Sequence, residues 1–268
     1  MKSPLPWLGG KRLLSKQIVM YLNQIEHTCY IEPFMGAAHV FFRKEQVKTE
    51  VLNDINQDLT VLFRVLQNHL EEFLRFFKWA LCSRGEFDRL NAQNPDSLTD
   101  IQRACRFYYL HKLCFGGRYV NRTFGTSTTS APRLNLIRIE EELSQVHLRL
   151  SRVLIENQPW SKIIEKYDRP YSLFYLDPPY FDCEDYYGKN IFDRSEFSEL
   201  SKTLFTLKGD FILSLNDHKE IRSIFSDFFI QPVKVQYSIS CDQSGKRKSF
   251  PELLISNVNL KKLSKKAS

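Results

Sequence analysis

The stretch Leu173-Phe174-Tyr175-Leu176-Asp177-Pro178-Pro179-Tyr180 joins a short apolar run to a rigid polar turn. Four consecutive apolar residues closed by a turn signal are typical of a buried strand in a parallel sheet. In open α/β sheets ligands bind at the carboxyl ends of the strands, which is where Asp177 stands. The stretch therefore predicts an α/β fold with a functional site beside Asp177.

The two prolines make this turn rich in hydrogen-bond acceptors. Each proline holds φ near −65° and lacks an N–H group, so the Pro178 carbonyl is held beside the Asp177 carboxylate. Two acceptors suit an exocyclic amine with two hydrogens, and the Tyr180 ring can stack on the heterocycle that carries the amine. An ordinary turn leaving a strand would contain the same prolines, and the residues alone leave that alternative open.

Alternating helices and strands are predicted toward the C-terminus. A helix near 195–206 precedes a strand at 211–215. Strands at 232–239 and 251–258, joined by a loop at 240–250, favour an antiparallel hairpin.

A glycine turn follows the first predicted strand, at 27–34, and precedes a predicted helix at 39–46. Gly36 lets the backbone approach a ligand, and Asp54 ends the next strand 18 residues later, where an acid can accept both hydroxyls of a ribose. The motif G-x-G-x-x-G is absent, which argues against a dinucleotide and favours a nucleoside cofactor without phosphates. A plain strand-turn-helix unit remains the alternative.

The middle of the chain has a different character. Helical periodicity predicts helices at 59–81, 100–115 and 137–153, with a long polar loop at 116–135. Together these patterns predict a doubly wound, Rossmann-like sheet built from 1–57 and 151–268, interrupted by a helical insertion at 58–150.

Composition narrows the class of protein. The chain has 268 residues, 43% of them hydrophobic, enough for a large folded core. Six scattered cysteines without C-x-x-C, and six histidines without H-E-x-x-H, predict neither a disulfide framework nor a metal site. No apolar run is long enough for a bilayer and no signal peptide opens the chain, so a cytoplasmic location is expected. A net charge of +7 permits a polyanionic partner.

Four motifs, taken in order, resemble the DNA adenine methyltransferases of the Dam type. They are Trp-x-Gly-Gly-Lys at 7–11, Glu-Pro-Phe-x-Gly at 32–36, Asn-Asp-Ile-Asn at 53–56 and Asp-Pro-Pro-Tyr at 177–180. A P-loop does not explain the first, because its leading glycine is missing and Arg12 replaces Ser or Thr. The motif order is that of the alpha class of these amino-methyltransferases, and the chain looks most like their phage or prophage members. The resemblance implies methyl transfer from S-adenosylmethionine to N6 of a flipped-out adenine in double-stranded DNA.

The resemblance also implies roles for individual residues. Asp177, Pro178, Pro179 and Tyr180 would form the catalytic site. Lys11 would lie near the cofactor carboxylate, and Asp54 would hold the cofactor ribose. The residues implied in cofactor binding are Trp7, Gly9, Lys11, Glu32, Phe34, Gly36, Asp54 and Asp177.

Target recognition falls to the insertion and the last hairpin in this interpretation. Arginines suit guanine, asparagine suits adenine, and basic side chains suit phosphates. The candidate DNA-binding residues are Arg118, Tyr119, Asn121, Arg122, Lys246, Arg247 and Lys248.

The chain departs from the family pattern in two places. Ala37 stands where the family often has a second glycine. The recognition segment differs from that of the GATC-methylating members, so GATC is not carried over as the target.

Other functions fit the same residues. Methylation of cytosine N4, RNA or a protein amide needs the same pair of acceptors. A basic DNA-binding module without catalysis would explain the charge and the polar loops.

We expect a monomer acting in the cytoplasm at the nucleoid.

Overall fold

The computed structural model describes residues 1–7, 11, 13–115, 122–182, 192–241 and 247–264, and in the last hairpin the side chains of 234–241 and 247–250 lie outside the description. The strands are β1 Cys29–Glu32, β2 Thr49–Asn53, β3 Val153–Glu156, β4 Ser172–Leu176, β5 Asp210–Asn216, β6 Phe229–Cys241 and β7 Arg247–Ser256. The helices are α1 Ser15–Leu22, α2 Gln57–Asn68, α3 Leu70–Phe77, α4 Arg84–Ala92, α5 Asp100–Leu113, α6 Ile139–Leu150, α7 Trp160–Tyr167, α8 Arg194–Phe205, α9 Lys219–Ile224 and α10 Leu260–Ser264.

The seven strands form one mixed sheet in the order β3-β2-β1-β4-β5-β7-β6. The first five are parallel, and β7 runs antiparallel between β5 and β6. Strand order reverses between β1 and β4, and in doubly wound sheets ligands bind in the crevice at such a reversal. This topology confirms the predicted Rossmann-like class and the antiparallel hairpin, whose strands extend into the segment expected as a loop.

Helices cover both faces of the sheet. In β4, Leu173 and Tyr175 pack into the core beneath the helical segment α2–α6, whereas Phe174 and Leu176 pack against the helices of the other face. The alternation arises because successive strand residues point to opposite faces. The helical segment thus shares one core with the sheet.

The predicted helix at 59–81 is divided in the structure. His69 has φ −136° and ψ 39°, outside the helical region, and separates α2 from α3. The break turns α3 so that Phe73 and Phe77 contact Tyr108 of α5 edge to face. Packing therefore overrides one continuous helical period.

The segment at 39–46 was expected as a helix and forms turns instead. Phe42 N–H donates to Ala38 O at 3.0 Å, but no regular helix follows. Ala38 has φ 53°, outside the right-handed helical region, and the buried residues Val40, Phe41 and Phe42 follow it in turns. The short elements α1, α4, β3, α7, α9 and α10 had no separate prediction.

Candidate active site

A cavity of about 380 Å³ opens at the carboxyl ends of β1, β2 and β4. It brings together residues that are far apart in sequence, and its volume falls in the range of small-molecule sites. The predicted site residues that line it are Trp7, Lys11, Glu32, Phe34, Gly36, Asp54, Asp177 and Pro179.

The turn after β1 is held to the end of β2. Gly36 has φ 47°, and its N–H donates to Asp54 Oδ2 at 2.9 Å. A Cβ on Gly36 would lie 3.1 Å from Nε1 of Trp7, a tight contact, and the positive φ would strain any side chain there. Asn56 N–H donates to the other oxygen of Asp54 at 2.9 Å. Burial raises the pKa of Asp54 to about 6.

These features fit a nucleoside cofactor. Each Asp54 oxygen accepts one backbone hydrogen bond and keeps further acceptor capacity for a ribose hydroxyl. Phe34 and Trp7 supply apolar walls, and the bare backbone at Gly36 permits close approach. The residues present therefore suit S-adenosylmethionine, which carries a ribose and no phosphate.

Trp7 links the cavity to the helical segment. Its ring stacks on His111 of α5 with centroids 5.1 Å apart and lies tilted to Phe107 at 6.4 Å. Burial lowers the pKa of His111 to about 3, so the imidazole is neutral at neutral pH. The Trp7 wall of the cavity is thus supported from behind by α5.

Asp177 directly follows β4 and stands at the centre of a charged cluster. Its Oδ1 accepts hydrogen bonds from Lys11 Nζ at 2.5 Å and from Ser214 Oγ at 2.9 Å. Tyr175 OH lies 2.9 Å from the same Ser214 hydroxyl. Lys11 also lies 3.9 Å from Glu252 Oε2. Burial is the largest influence on Asp177 and raises its pKa, while Lys11 opposes the shift.

Lys11 also has protein neighbours, besides the cofactor carboxylate that the resemblance implies for it. Its ammonium contacts Asp177 and lies 4.4 Å from the centroid of the Tyr180 ring. The cation therefore contacts both ends of the Asp177–Tyr180 turn. Beyond Tyr180, Phe181 N–H donates to Asn216 Oδ1 at 3.0 Å and ties the turn to β5.

Glu32 ends β1 as a buried carboxyl. Tyr30 OH donates to its Oε1 at 2.7 Å, and burial raises the pKa of Glu32 to about 8. Nearby, Arg149 of α6 forms a two-pronged ion pair with Glu50 of β2, one contact measuring 2.8 Å. This pair fastens the helical segment to the sheet.

The candidate DNA-binding residues are mostly outside this description. Arg122 is described, and its guanidinium lies 5.8 Å from the centroid of the Phe107 ring. Arg247 and Lys248 lie on β7, with only their backbone described. The predicted site residues Gly9, Arg118, Tyr119, Asn121 and Lys246 lie outside the described residues.

Three residues beside Asp177 were missed by sequence reasoning: Ser214, Glu252 and Tyr175. Ser214 is a polar residue within the apolar run 211–215, which neighbours β4 in the sheet, and this was a usable signal. Glu252 is an acid within the predicted strand at 251–258. The sequence does not show that this acid lies near Asp177, because that depends on the pairing of β7 with β5.

No described helix is long and apolar enough to cross a membrane. Among the described residues, no group of three or more His, Cys, Asp or Glu side chains is arranged to hold a metal ion.

Comparison with known proteins relates the whole arrangement to one family. The model of the D12 class N6 adenine-specific DNA methyltransferases matches residues 7–239. The Type II methyltransferase M.CviBI of Paramecium bursaria Chlorella virus NC1A is 25% identical over 240 residues, covering 88% of this chain and 91% of that protein. A DNA adenine methylase of Haemophilus influenzae is 27% identical over 266 residues, covering 93% and 91%. A DNA N-6-adenine-methyltransferase of Escherichia phage P1 is 26% identical over 259 residues, covering 90% of this chain and 33% of its own length.

Proposed function

This chain belongs to the D12 class of N6 adenine-specific DNA methyltransferases, and we propose that Asp177 and the Pro178 carbonyl bind the amine of an adenine flipped out of the double helix. The enzyme transfers a methyl group from S-adenosylmethionine to N6 of adenine in DNA. The observation that carries the proposal is one cavity containing both the Asp54–Gly36 turn and Asp177.

Two hydrogen bonds to the amine would activate a poor nucleophile. The lone pair of the adenine amine is conjugated with the ring, so the nitrogen must become pyramidal before it can attack. Asp177 and the Pro178 carbonyl can each accept one N–H, which favours the pyramidal form and stabilises the positive charge that develops on N6. When bound, S-adenosylmethionine supplies an electrophilic methyl group on its sulfonium. Transfer of that methyl group to N6 would leave a neutral thioether, and one N6 proton would pass to solvent.

Asp177 has a side chain only 19% exposed, at the base of a cavity. An adenine stacked in a duplex cannot reach such a position, so the base has to leave the stack at a cost of a few kcal/mol. Tyr180 and Pro179 stand beside Asp177, and stacking on the Tyr180 ring recovers part of that cost. The burial of Asp177 in the cavity therefore supports base flipping.

Cofactor binding is assigned to the opposite side of the cavity. Asp54 would accept the ribose hydroxyls, while Gly36 and Phe34 would shape the pocket around the nucleoside. Trp7 would close one wall against α5, and Glu32 would border the site from the end of β1. Lys11 would lie near the cofactor carboxylate while it contacts Asp177, and Gly9 would complete the set of cofactor-binding residues.

DNA reading is assigned to the helical segment. In this division 58–150 recognises the target, whereas 1–57 and 151–268 form the catalytic domain. Recognition would use Arg118, Tyr119, Asn121 and Arg122, with phosphate contacts from Lys246, Arg247 and Lys248. We infer that the protein acts as a monomer on double-stranded DNA, in the cytoplasm at the nucleoid.

The test is nucleoside analysis by mass spectrometry. Plasmid DNA without adenine methylation is incubated with S-adenosylmethionine and either the native protein or Asp177→Ala. We expect N6-methyladenine with the native protein, and its loss in the variant with DNA binding retained. Asp227→Ala, at an exposed acid, is the control and should remain active.

Two outcomes would count against the proposal. An active Asp177→Ala variant would remove Asp177 from the reaction. Appearance of N4-methylcytosine in place of N6-methyladenine would keep the acceptor geometry and change the target base.

A further inference from the structure

Glu252 is a second carboxylate beside the Lys11–Asp177 pair. Its Oε2 lies 3.9 Å from Lys11 Nζ, and the same ammonium lies 2.5 Å from Asp177 Oδ1. Glu252 belongs to β7 and is paired in register with Asn216 at the end of β5. The hairpin therefore inserts an acid behind the catalytic turn.

Glu252 and Asp177 differ in how far their side chains are exposed. The side chains of Glu252 and Lys11 are 1% and 2% exposed, whereas that of Asp177 is 19% exposed and lines the cavity. Glu252 is too deep to touch a substrate. It can act on the reaction only without touching substrate, through its contact with Lys11 and through the effect of its charge on Asp177.

The orientation of Asp177 is set by its other neighbours. Lys11 and Ser214 both donate to Oδ1, and no hydrogen bond from the described residues is found at Oδ2. The carboxylate is thus held by one oxygen, and the second can accept from the target amine.

Glu252 is placed to offset the charge of Lys11. An ammonium 2.5 Å from Asp177 would by itself cancel the negative charge that stabilises a cationic transition state. Glu252, the second carboxylate beside this ammonium, offsets the positive charge that Lys11 places next to Asp177.

We propose that Glu252 is a positioning residue that neutralises Lys11, so that Lys11 can orient Asp177 without weakening its attraction for the positive charge developing on the target amine. The inference rests on the proposed role of Asp177 and extends it to the last hairpin. It also explains why an acid is buried in the middle of the apolar run of β7.

Other charged groups face Asp177 and have to be considered in a pH experiment. Lys11 lowers the pKa of Asp177 and Glu252 raises it, against the larger effect of burial. The buried Glu32 carboxyl and the Tyr175 phenol interact with Asp177 as well. Removing the charge of Glu252 should therefore lower the pKa of Asp177.

The experiment measures the single-turnover rate of methyl incorporation into unmethylated plasmid DNA between pH 5 and 9. Glu252→Gln has the same shape and leaves Lys11 paired with Asp177. We expect the rate to fall by about tenfold, with S-adenosylmethionine and DNA affinities within about twofold of native. The acid limb of the profile should move to lower pH, which loss of packing alone would not produce.

A double-mutant cycle tests whether Glu252 acts through Lys11. In a Lys11→Met background, Glu252→Gln should have a much smaller effect than the loss of about tenfold expected in the native background. Glu156→Gln, an acid on β3 paired with Lys166, is the matched control and should leave rate and profile unchanged. Glu252→Asp keeps the charge farther from Lys11 and should give intermediate values; it replaces Glu252→Gln if that variant does not fold.

An unchanged rate in Glu252→Gln would overturn the inference, as would a reduced rate with an unmoved acid limb. Full persistence of the Glu252→Gln effect in the Lys11→Met background would do the same. An active Asp177→Ala variant would instead overturn the proposed function itself, so the two failures are distinguishable.

Discussion

The backbone N–H of Gly36 donates a 2.9 Å hydrogen bond to the carboxylate of Asp54. This contact joins the turn after β1 to the end of β2 across the mouth of the cavity. The backbone of Gly36 and the carboxylate of Asp54 therefore form one continuous part of the cavity surface. Both residues therefore provide sharp tests of cofactor binding.

Asp54→Asn should weaken S-adenosylmethionine binding by about 10- to 100-fold, because hydrogen bonds to a charged acceptor are replaced by weaker ones. Calorimetric titration measures the loss. Since the pKa of Asp54 is about 6, native affinity should also fall as pH drops below 6 and the carboxylate is protonated. The asparagine variant should lack that dependence, and a native affinity equal at pH 5 and 8 would contradict the assignment.

Gly36→Ala should reduce cofactor affinity by at least about tenfold, since a Cβ there meets Trp7 at 3.1 Å and φ of 47° strains any side chain. Gly85→Ala is the matched control. Nothing lies within 4 Å of a Cβ at Gly85, which sits inside α4. That control should leave binding intact and stabilise the fold by about 0.5–1 kcal/mol, measured by urea unfolding.

Glu32→Gln should change how stability depends on pH. Burial raises the pKa of Glu32 from 4.5 to about 8, so between these values the folded chain keeps a proton that the unfolded chain has released. The free energy of unfolding contributed by this group therefore falls as pH rises through that window, by at most about 1.4 kcal/mol per pH unit. The glutamine variant should show a shallower decline between pH 6 and 8 in urea titrations. Parallel curves for the two proteins would refute the prediction.

Arg149→Met should destabilise the fold by about 3–5 kcal/mol, because it leaves the Glu50 carboxylate buried without its partner. Glu50 and Arg149 have side chains only 2% and 10% exposed. Arg89→Met removes an ion pair with Glu86 whose arginine is 56% exposed, and should cost no more than about 1 kcal/mol. Equal losses in chemical denaturation would show that the α6–sheet pair has no special role.

Much of the site was readable from local patterns. The apolar run of β4 and the prolines after it predicted the position of Asp177, and the spacing from Gly36 to Asp54 predicted their pairing at one pocket. These features could be predicted because strand periodicity and proline geometry depend on only a few neighbouring residues. Helix boundaries were less predictable, as the break at His69 shows, since core packing overrides a local period.

The sequence by itself determined the class of fold and the chemistry available: a parallel strand that ends in Asp-Pro-Pro-Tyr, a glycine turn and an acid for a nucleoside. Only the tertiary structure decided what surrounds Asp177. Lys11 lies 166 positions away in the chain and Ser214 lies 37 away, while Glu252 arrives on an antiparallel strand. Their meeting depends on strand order and register, which are set by packing of the whole sheet and have no signature in any local segment.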